Sequence, residues 1–411
     1  MGVVLSDAEE RQSYQLTDRR SRIRSGGFVF GGVVMTLDLA VLRKSLDDID
    51  AVLVSALGER ARLARQIAQL KAAGDGPVRD ADRETALLQH RSAFGERLGL
   101  DPAFVRRIFR EILDDSVRRQ QDVLQGEADT EEIRVGFQGT EGAYGHQAAL
   151  QHFAVSRRGV AFKAYPTFKA MLEAVLEGHT DRAVLPIENT TAGSVYESYD
   201  LLLRLNLSLV GEEIVDVRHC LLGVADVPVG SLRRIHSHPQ ALSQCSEFLA
   251  TLSGCEGVSA GNTALAAKHV RELNDPSEAA IASEEAGAHF GLHVLKRDIA
   301  NQPINYTRFV VVAATPVECD PRIQAKVSMV LATRHEHGAL VRCLNVIADE
   351  GLNITKLESR PRPGTPWEYV FYVDVEGHIG APRMRAALTG LAERTVFLKV
   401  LGCYPSRELP K

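Results

Sequence analysis

The fold of the N-terminal third is decided by the stretch LKAAGDGPVRDADRE, which occupies residues 70–84. Ahead of it, apolar residues recur at helical spacing over residues 37–71 and predict one unusually long helix. Two glycines and a proline inside the stretch end that helix, because proline lacks the amide hydrogen and clashes with the preceding turn. Two further helices are predicted, Asp80 to Leu98 and Pro102 to Leu124, so the pattern indicates an all-α domain over residues 35–125.

A long helix with two shorter partners leaves a single chain with little core. The apolar stripe of the long helix is buried best against a second copy of the same hairpin. We therefore expect a homodimer or a higher homo-oligomer.

Beyond this domain the sequence changes character twice. Short apolar runs alternate with helical stretches over residues 132–314 and predict an α/β domain. After a connector with two prolines, residues 325–405 predict strand, helix, strand, strand, helix and strand, the βαββαβ order of the ferredoxin-like α+β fold. Residues 1–34 combine arginines with a Gly-rich apolar run that lacks a cleavage site. We expect a disordered extension there rather than an export signal, with Met35 as a candidate start.

Composition and charge limit the class of protein. The 411 residues correspond to two or three domains, and 45% apolar with 25% charged residues exclude a mostly disordered chain. With 48 Lys and Arg against 53 Asp and Glu, the net charge of −5 argues against a nucleic-acid-binding protein. No run reaches the ~18 apolar residues of a membrane helix. The six dispersed cysteines form no C-x-x-C pair and no cluster with histidine, so we expect free thiols in the cytoplasm, and no metal or cofactor.

Three cations on the first helix have informative spacings. Arg60 and Lys71 are 11 residues apart, which places them on one helix face about 16 Å apart, a spacing that suits a small dianion. Arg43 lies 17 residues before Arg60, about 100° round the helix, so it serves a partner chain's pocket more easily than its own. On spacing alone we favour the simpler interpretation, solvated cations on a charged helix.

The runs KAAGDGPVRDADRE at residues 71–84 and DDSVRRQQ at residues 114–121 resemble the all-helical chorismate mutase domain. From about Leu37 to Pro405 the chain resembles the bifunctional chorismate mutase/prephenate dehydratase family of phenylalanine biosynthesis. The resemblance implies a mutase site made of Arg43, Arg60, Lys71, Asp80, Arg83, Glu84, Ser116 and Gln120. In such a site the arginines hold two carboxylates and Glu84 accepts the substrate hydroxyl. Lys71 and Gln120 donate to the ether oxygen on which charge develops.

The middle domain contains three polar motifs, PIENT at residues 186–190, SHPQ at 237–240 and NYTRF at 305–309. Polar residues directly after apolar strands mark the ligand edge of an open α/β sheet, although the same residues could merely cap helices and turns. The resemblance to prephenate dehydratase implies two lobes related to periplasmic-binding-protein folds. The chain would cross between the lobes near Val217 and return near Asn301.

The same resemblance assigns roles in this domain. Thr307 is implied as the catalytic acid. Glu188, Asn189, Ser237 and Gln244 are implied as cleft residues, and Arg308 or the helix N-terminus after Ser194 as the contact for a carboxylate. The Gly-rich loop GTEGAYG at residues 139–145 departs from the family, which more often has serine at positions 143 and 145. The substrate contacts of this loop are therefore in doubt.

Residues 326–403 resemble an ACT domain through GALV at residues 338–341 and ESRP at residues 358–361. These motifs imply a phenylalanine-sensing site. It would comprise Gly338, Ala339, Leu340, Asn353, Glu358, Ser359 and Arg360. A plain dimerisation sheet is the alternative.

The expected function is therefore a cytoplasmic bifunctional enzyme. It would convert chorismate to prephenate and prephenate to phenylpyruvate, with phenylalanine as feedback inhibitor and with no nucleic-acid or membrane partner. Two alternatives stay open: an enzyme that also accepts arogenate, and a non-catalytic amino-acid sensor built on the same modules.

Overall fold

A computed structural model describes the backbone of residues 28–30, 33–35, 39–72, 80–124, 132–156, 159–362, 365 and 368–407. The chain divides into two compact units, Met1–Leu63 and Ala64–Lys411. In the first unit, β1 (Phe28–Phe30) and β2 (Val33–Met35) pair antiparallel, where we had expected a disordered extension. The expectation for residues 1–27 lies outside the described residues.

Three helices form the N-terminal region, as predicted: α1 (Leu39–Ala72), α2 (Ala81–Arg97) and α3 (Pro102–Leu124). Asp80 caps α2, because its carboxylate accepts a hydrogen bond from the backbone N–H of Arg83 at 3.0 Å. Helices α2 and α3 pack closely at Gly95, where a Cβ would lie 2.5 Å from Val105 Cγ2. The missing side chain at this position therefore sets the spacing of the two helices.

The middle domain alternates strands and helices. Its strands are β3 (Ile133–Gln138), β4 (Val160–Tyr165), β5 (Arg182–Asn189), β6 (Gly193–Ser194), β7 (Ser208–Asp216), β8 (Cys220–Gly223), β9 (Arg234–Ser237), β10 (Glu256–Ser259), β11 (Glu278–Ala282), β12 (His293–Lys296) and β13 (Tyr306–Ala313). Its helices are α4 (Tyr144–Phe153), α5 (Phe168–Leu176), α6 (Tyr196–Arg204), α7 (Pro239–Gln244), α8 (Ser246–Ala250), α9 (Thr263–Leu273) and α10 (Glu284–Phe290). A short 3-10 helix lies at Val229–Ser231.

These strands form two sheets and hence two lobes. The first sheet has the order β4-β3-β5-β13-β7, with β6 added to β5, and the second has the order β10-β9-β11-β8-β12. The chain crosses to the second lobe through residues 217–219 and returns through residues 297–305, as expected. The first crossing borders a cleft between the lobes, since Val217 and His219 line it, so a polar residue there is placed to contact a ligand.

The C-terminal module has the predicted ferredoxin-like order. Its elements are β14 (Ala325–Thr333), α11 (Ala339–Asp349), β15 (Ile354–Pro361), β16 (Tyr369–Glu376), α12 (Pro382–Arg394) and β17 (Thr395–Pro405). The sheet order is β15-β16-β14-β17, and α11 and α12 cover one face.

The other face of this module packs on the first lobe of the middle domain. One apolar cluster joins Val310 and Leu202 of the lobe to Val330 and Tyr372 of the C-terminal sheet. Strand β17 approaches β7 so closely that a Cβ at Gly402 would collide with the backbone carbonyl of Leu209. The module and the lobe therefore share a core.

None of the helices within the described residues combines the length and the hydropathy that a bilayer-spanning segment requires.

Candidate functional sites

The residues implied for the mutase site lie on all three N-terminal helices. Arg43 and Arg60 belong to the part of α1 in the first unit, and Lys71 lies near the end of that helix in the second unit. The Lys71 carbonyl oxygen accepts a hydrogen bond from Arg322 at 2.9 Å. Asp80 caps α2, and the first turn of that helix contains Arg83 and Glu84.

Ser116 and Gln120 occupy one face of α3, one turn apart. The Ser116 hydroxyl donates to the Ile112 carbonyl at 2.8 Å, and Gln120 Nε2 donates to the Ser116 carbonyl at 3.2 Å. Gln120 Oε1 is buried and makes no hydrogen bond among the described residues. A buried amide oxygen without a partner is costly, so this side chain is poised to exchange its local bond for a ligand.

The second site is a cleft of about 490 Å³ between the two lobes of the middle domain. Thr307 and Asn189 face it from the neighbouring strands β13 and β5, and Gln244 faces it from the end of α7. The structure thus brings together three residues that lie far apart in the sequence. Phe168 and Phe309 add apolar walls.

Asn189 organises the cleft through both ends of its amide. Its Nδ2 donates to Thr307 Oγ1 at 3.0 Å and to Asn305 Oδ1 at 2.7 Å. Its Oδ1 accepts from the Thr191 backbone N–H at 3.0 Å and from the Thr191 hydroxyl at 2.7 Å. Because the Thr307 oxygen accepts from Asn189, the Thr307 hydroxyl proton is left to point elsewhere.

Gln244 connects the two lobes by hydrogen bonds. Its Nε2 donates to Thr191 Oγ1 at 2.5 Å, and its Oε1 accepts from Asn305 at 3.3 Å and lies 2.9 Å from His219 Nε2. His219 is 2% exposed, and burial lowers its pKa, so the imidazole is neutral at pH 7. The Tyr144 hydroxyl lies 3.2 Å from the other ring nitrogen of His219.

Two helices begin at the cleft without a side-chain cap. Ala143 precedes α4 and Val195 precedes α6, and neither position supplies a capping hydrogen bond. Both residues line the cleft. Uncapped N–H groups and the helix dipole together favour a bound anion at these points.

Two predicted cleft residues, Ser237 and Glu188, face other surroundings. The Ser237 hydroxyl is fully buried and donates to the Ile281 carbonyl at 2.6 Å, so it does not line the cleft. Glu188 is paired with Lys356 of the C-terminal module at 2.9 Å rather than with the cleft. These placements contradict the predictions for both residues, although His238 and Gln240 of the same SHPQ motif do line the cleft.

The prediction that Arg308 binds a substrate carboxylate is also wrong. Its guanidinium contacts Glu212 at 2.7 Å, Asp374 at 2.6 Å and the Tyr404 hydroxyl at 3.2 Å. Burial acts to lower the pKa of Arg308, but Asp374 and its neighbours outweigh burial and raise it. Strand geometry explains the placement, because Arg308 follows Thr307 and so points to the opposite face of the sheet.

Sequence reasoning did not single out Tyr144, His219 and Asn262, which line the cleft, or Thr191, which accepts a hydrogen bond from Gln244. His219 had a usable signal, since it lies on the segment between β7 and β8 where the chain leaves the first sheet. Tyr144 lies inside the GTEGAYG loop and Thr191 directly follows the PIENT motif, whereas Asn262 belongs to none of the quoted motifs.

The residues implied for phenylalanine lie at two ends of the C-terminal module. Gly338, with φ of 71°, precedes α11 at the same end of the sheet as the ESRP motif, since Ala332 and Arg360 both pair with Val370. Asn353 lies beyond the far end of α11, about 16 Å away by helix rise, where its side chain donates to Glu376. One chain therefore does not bring Asn353 next to Gly338, Ala339 and Leu340.

The ESRP motif contacts the first lobe. Glu358 accepts a hydrogen bond from the Ser194 hydroxyl at 2.9 Å, and Arg360 lies 3.2 Å from Asp200 and stacks over the Tyr196 ring. Ser194 also lines the cleft. The predicted effector motif is thus one hydrogen bond away from the cleft wall.

Comparisons with known families agree with these three regions. Residues 42–121 match chorismate mutase type II, residues 135–317 match prephenate dehydratase, and residues 330–393 match the ACT domain. The chain is 38% identical over 374 residues to the bifunctional chorismate mutase/prephenate dehydratase of Enterobacter agglomerans, an alignment that covers 90% of this chain and 97% of that protein.

Two solved structures resemble the part beyond the helices. One is a prephenate dehydratase in complex with L-Phe from Arthrobacter aurescens, 29% identical, with a TM-score of 0.58 over 67% of this chain and 90% of that one. The other is GqqA, a quorum-quenching acylase, 34% identical, with a TM-score of 0.60 over 67% of this chain and 98% of that one. Since this fold occurs in proteins named for different activities, the cleft residues must carry the argument for function.

Proposed function

The chain belongs to the family of bifunctional chorismate mutase/prephenate dehydratases, and we propose which of its residues carry out the two reactions. It is an enzyme of phenylalanine biosynthesis, with mutase, dehydratase and ACT regions in that order. We propose domain boundaries at residues 35–125, 132–314 and 325–405, and a cytoplasmic location, in keeping with six free thiols.

The mutase reaction needs orientation and charge stabilisation rather than a nucleophile. Arg43, Arg60 and Arg83 supply cations for the two carboxylates of chorismate, and Glu84 accepts its hydroxyl. Lys71 and Gln120 donate to the ether oxygen as the C–O bond breaks, which stabilises the transition state more than the ground state. Gln120 Nε2 donates to the Ser116 carbonyl of its own helix at 3.2 Å, a long bond that it can exchange for one to the ether oxygen.

In the dehydratase cleft, Thr307 acts as the proton donor. The reaction is driven by formation of an aromatic ring, so departure of the ring hydroxyl needs only a weak acid. The single observation that carries this proposal is the 3.0 Å hydrogen bond from Asn189 Nδ2 to Thr307 Oγ1. It occupies the Thr307 oxygen as an acceptor and leaves the hydroxyl proton for the leaving group.

The carboxylates of prephenate bind at the uncapped N-termini of α4 and α6. The described residues that line the cleft include no Lys or Arg. This suits the chemistry, because one carboxylate leaves as carbon dioxide while the electron pair of the broken C–C bond moves through the ring and expels the hydroxyl, which leaves as water with the Thr307 proton. A Lys or Arg beside the departing carboxylate would stabilise the ground state more than the transition state.

The cleft favours prephenate over arogenate. Arogenate carries an ammonium group, for which a carboxylate is the natural partner, yet no Asp or Glu is among the described residues that line the cleft.

A non-catalytic amino-acid sensor, the other alternative, would have no use for the Thr307 proton. Assays of the purified protein with chorismate, prephenate and arogenate in turn test the assignment: turnover of the first two and little of the third is expected. Binding without turnover would overturn it.

We also propose that phenylalanine binds between two ACT modules and inhibits the dehydratase. Gly338 of one chain and Asn353 of another would then form one site, which agrees with their separation within a single chain. The homodimer also covers the exposed apolar side chains of α1, such as Leu46 and Leu53, which are 61% and 57% exposed.

A further inference from the structure

Two cysteines that are distant in sequence meet at the base of the ACT module. Cys319 lies in the linker between β13 and β14, and Cys403 lies near the end of β17. Their sulphur atoms and a ring nitrogen of His378 lie within 4.8 Å of one another. Cys319 is 4% exposed, whereas Cys403 is partly exposed. A reagent from solvent therefore reaches Cys403 first.

The surroundings give the two thiols unequal acidity. Cys403 Sγ lies within 4.8 Å of the Cys319 sulphur and accepts a hydrogen bond from the Ile379 backbone N–H at 3.4 Å. The adjacent Cys319 thiol, helped by the Ile379 N–H and opposed by burial, lowers the pKa of Cys403 to about 6. The contact between the two thiols, together with burial, raises the pKa of Cys319. Because the thiolate is the nucleophile, Cys403 is the attacking residue and Cys319 the resolving one.

A metal site is the other use that proteins make of two cysteines and a histidine. The His378 ring is already engaged on both sides, since Nδ1 accepts from the Gly380 N–H at 3.0 Å and Nε2 lies 2.8 Å from the Cys319 carbonyl oxygen. A carbonyl only accepts, so Nε2 must carry the proton. Neither nitrogen then has a lone pair free to bind a metal beside the sulphurs. The geometry therefore favours a thiol pair.

We propose that Cys319 and Cys403 are a reversible oxidation site that forms a disulfide on contact with a peroxide. The Cys403 thiolate attacks one oxygen of hydrogen peroxide, the O–O bond breaks, and the departing hydroxide takes up a proton to become water. The Cys319 sulphur then displaces the hydroxyl of the Cys403 sulphenic acid, which leaves as water with the Cys319 thiol proton. The two sulphurs lose two electrons, the peroxide gains them, and a thiol reductant reverses the change.

The linker held by this bond touches the mutase helices as well as the ACT module. Cys319 packs in a buried cluster with Val117 of α3. Three residues further on, Arg322 donates to the Lys71 carbonyl oxygen at the end of α1. A disulfide would tie the linker to the last ACT strand and close the whole module into one covalent loop. We expect oxidation to slow proteolysis within residues 316–324.

The test uses the full-length protein, first reduced and then treated with hydrogen peroxide at about one equivalent. Remaining thiols are blocked with N-ethylmaleimide in denaturant, so that buried cysteines also react, and are then counted by intact mass and mapped by digestion without reductant. We expect the count to fall from six to four, with the peptides of Cys319 and Cys403 cross-linked, and to return to six after dithiothreitol. Oxidation at other cysteines while these two stay alkylated would overturn the proposal.

Variants assign the order of attack. Cys319→Ser should leave a Cys403 sulphenic acid that dimedone traps, and Cys403→Ser should leave Cys319 unreactive. Cys255→Ser, which removes a partly exposed thiol from the second lobe, is the matched control and should cross-link like the wild type. The wild-type mapping needs no variant to fold. Stoichiometric Zn²⁺ binding that protects both thiols and is lost in Cys319→Ser would overturn the proposal in favour of a metal site.

Discussion

The hydroxyl of Thr307 is the group on which the proposed dehydration depends. Thr307→Ser keeps that hydroxyl and should retain much of the dehydratase activity. Thr307→Val keeps the shape and loses the proton, so kcat should fall by about 10²-fold to 10⁴-fold, the range for a lost general acid. Steady-state assays with prephenate measure the difference, and the mutase rate of each variant reports on folding. A Val variant as active as the Ser variant would make Thr307 a packing residue.

Because of His219, the stability of the folded protein should depend on pH. Burial lowers its pKa below the usual 6.5, so the unfolded chain binds a proton more readily than the folded protein as the pH falls below 6.5. Stability should therefore drop between pH 7 and pH 5, and His219→Gln should flatten this drop. Thermal unfolding across that range measures it. His179→Gln, at a surface position 68% exposed, is the control, and identical profiles for both variants would contradict the assignment.

The alternation of side chains along a strand explains which of the predicted site residues line the cleft and which do not. Thr307 and Asn189 line the cleft, while Arg308 and Glu188, their immediate neighbours, point to the ACT module. The alternation of side chains along a strand already excludes that both members of such a pair face one cleft. Motif matching alone ignored this constraint. His219 was missed for another reason, because only the tertiary crossing brings it beside Gln244.

At the scale of elements, Arg308 on β13 joins two sheets. It pairs with Glu212 of β7 and Asp374 of β16, and these side chains are 14%, 0% and 8% exposed. Arg308→Leu should destabilise the protein by about 3–5 kcal/mol, because it leaves the buried Asp374 without its cation, although Glu212 keeps its ion pair with Lys326. Urea unfolding measures this effect, and prephenate KM should change little in the protein that remains folded.

The matched control is Arg134→Leu, which breaks an ion pair with Asp181 at a site where the two side chains are 47% and 34% exposed. An ion pair this exposed to solvent contributes little to stability, so this variant should unfold near the wild-type urea concentration. Equal losses of stability in the two variants, or a large rise in the prephenate KM with Arg308→Leu alone, would indicate that Arg308 binds substrate in the cleft.

Element boundaries followed from local patterns, whereas the docking of elements did not. The long helix and the βαββαβ order were predicted because periodicity and breakers are local properties of the chain. Strand β14 is buried along nearly its whole length. Such an apolar run indicates that both faces of the strand are packed against other elements, but it does not indicate which elements these are. Lys326 and Asp374 are buried in the shared core although their residue types are typical of surfaces. Only the partner across the interface explains them.

For the whole molecule, helical spacing predicts that Arg43 completes the mutase site of a partner chain. Lys71→Ala should lower mutase turnover about a hundredfold or more, since it removes a donor to the developing charge. Mixing Arg43→Ala with Lys71→Ala protomers should restore one intact site per heterodimer. Mixing Arg60→Ala with Lys71→Ala is the control and should restore none, because both residues serve the same pocket. Recovery in neither mixture, with heterodimers verified by mass spectrometry, would refute the shared site.

Phenylalanine must act on the cleft from a distance, and the ESRP strand offers a route. Glu358 and Arg360 bind Ser194 and Asp200 of the first lobe, and Ser194 lines the cleft. An effector that binds the less active arrangement more tightly, typically by about 1–3 kcal/mol, can therefore bias the cleft through β15. Removal of the ACT module is a poor test, because it would strip the shared core from the first lobe.

A single side chain gives the sharper test. Asn353 is exposed, and its side chain donates to Glu376, so Asn353→Ala should fold normally. If its amide oxygen accepts a hydrogen bond from the phenylalanine ammonium, the variant should need roughly tenfold to a hundredfold more phenylalanine for half-inhibition, since a hydrogen bond to a charged group contributes about 1.5–3 kcal/mol. Thr389→Ala, which removes an exposed hydrogen bond on α12, should keep wild-type sensitivity. Unchanged inhibition in Asn353→Ala, with calorimetry showing unchanged binding, would remove Asn353 from the effector site.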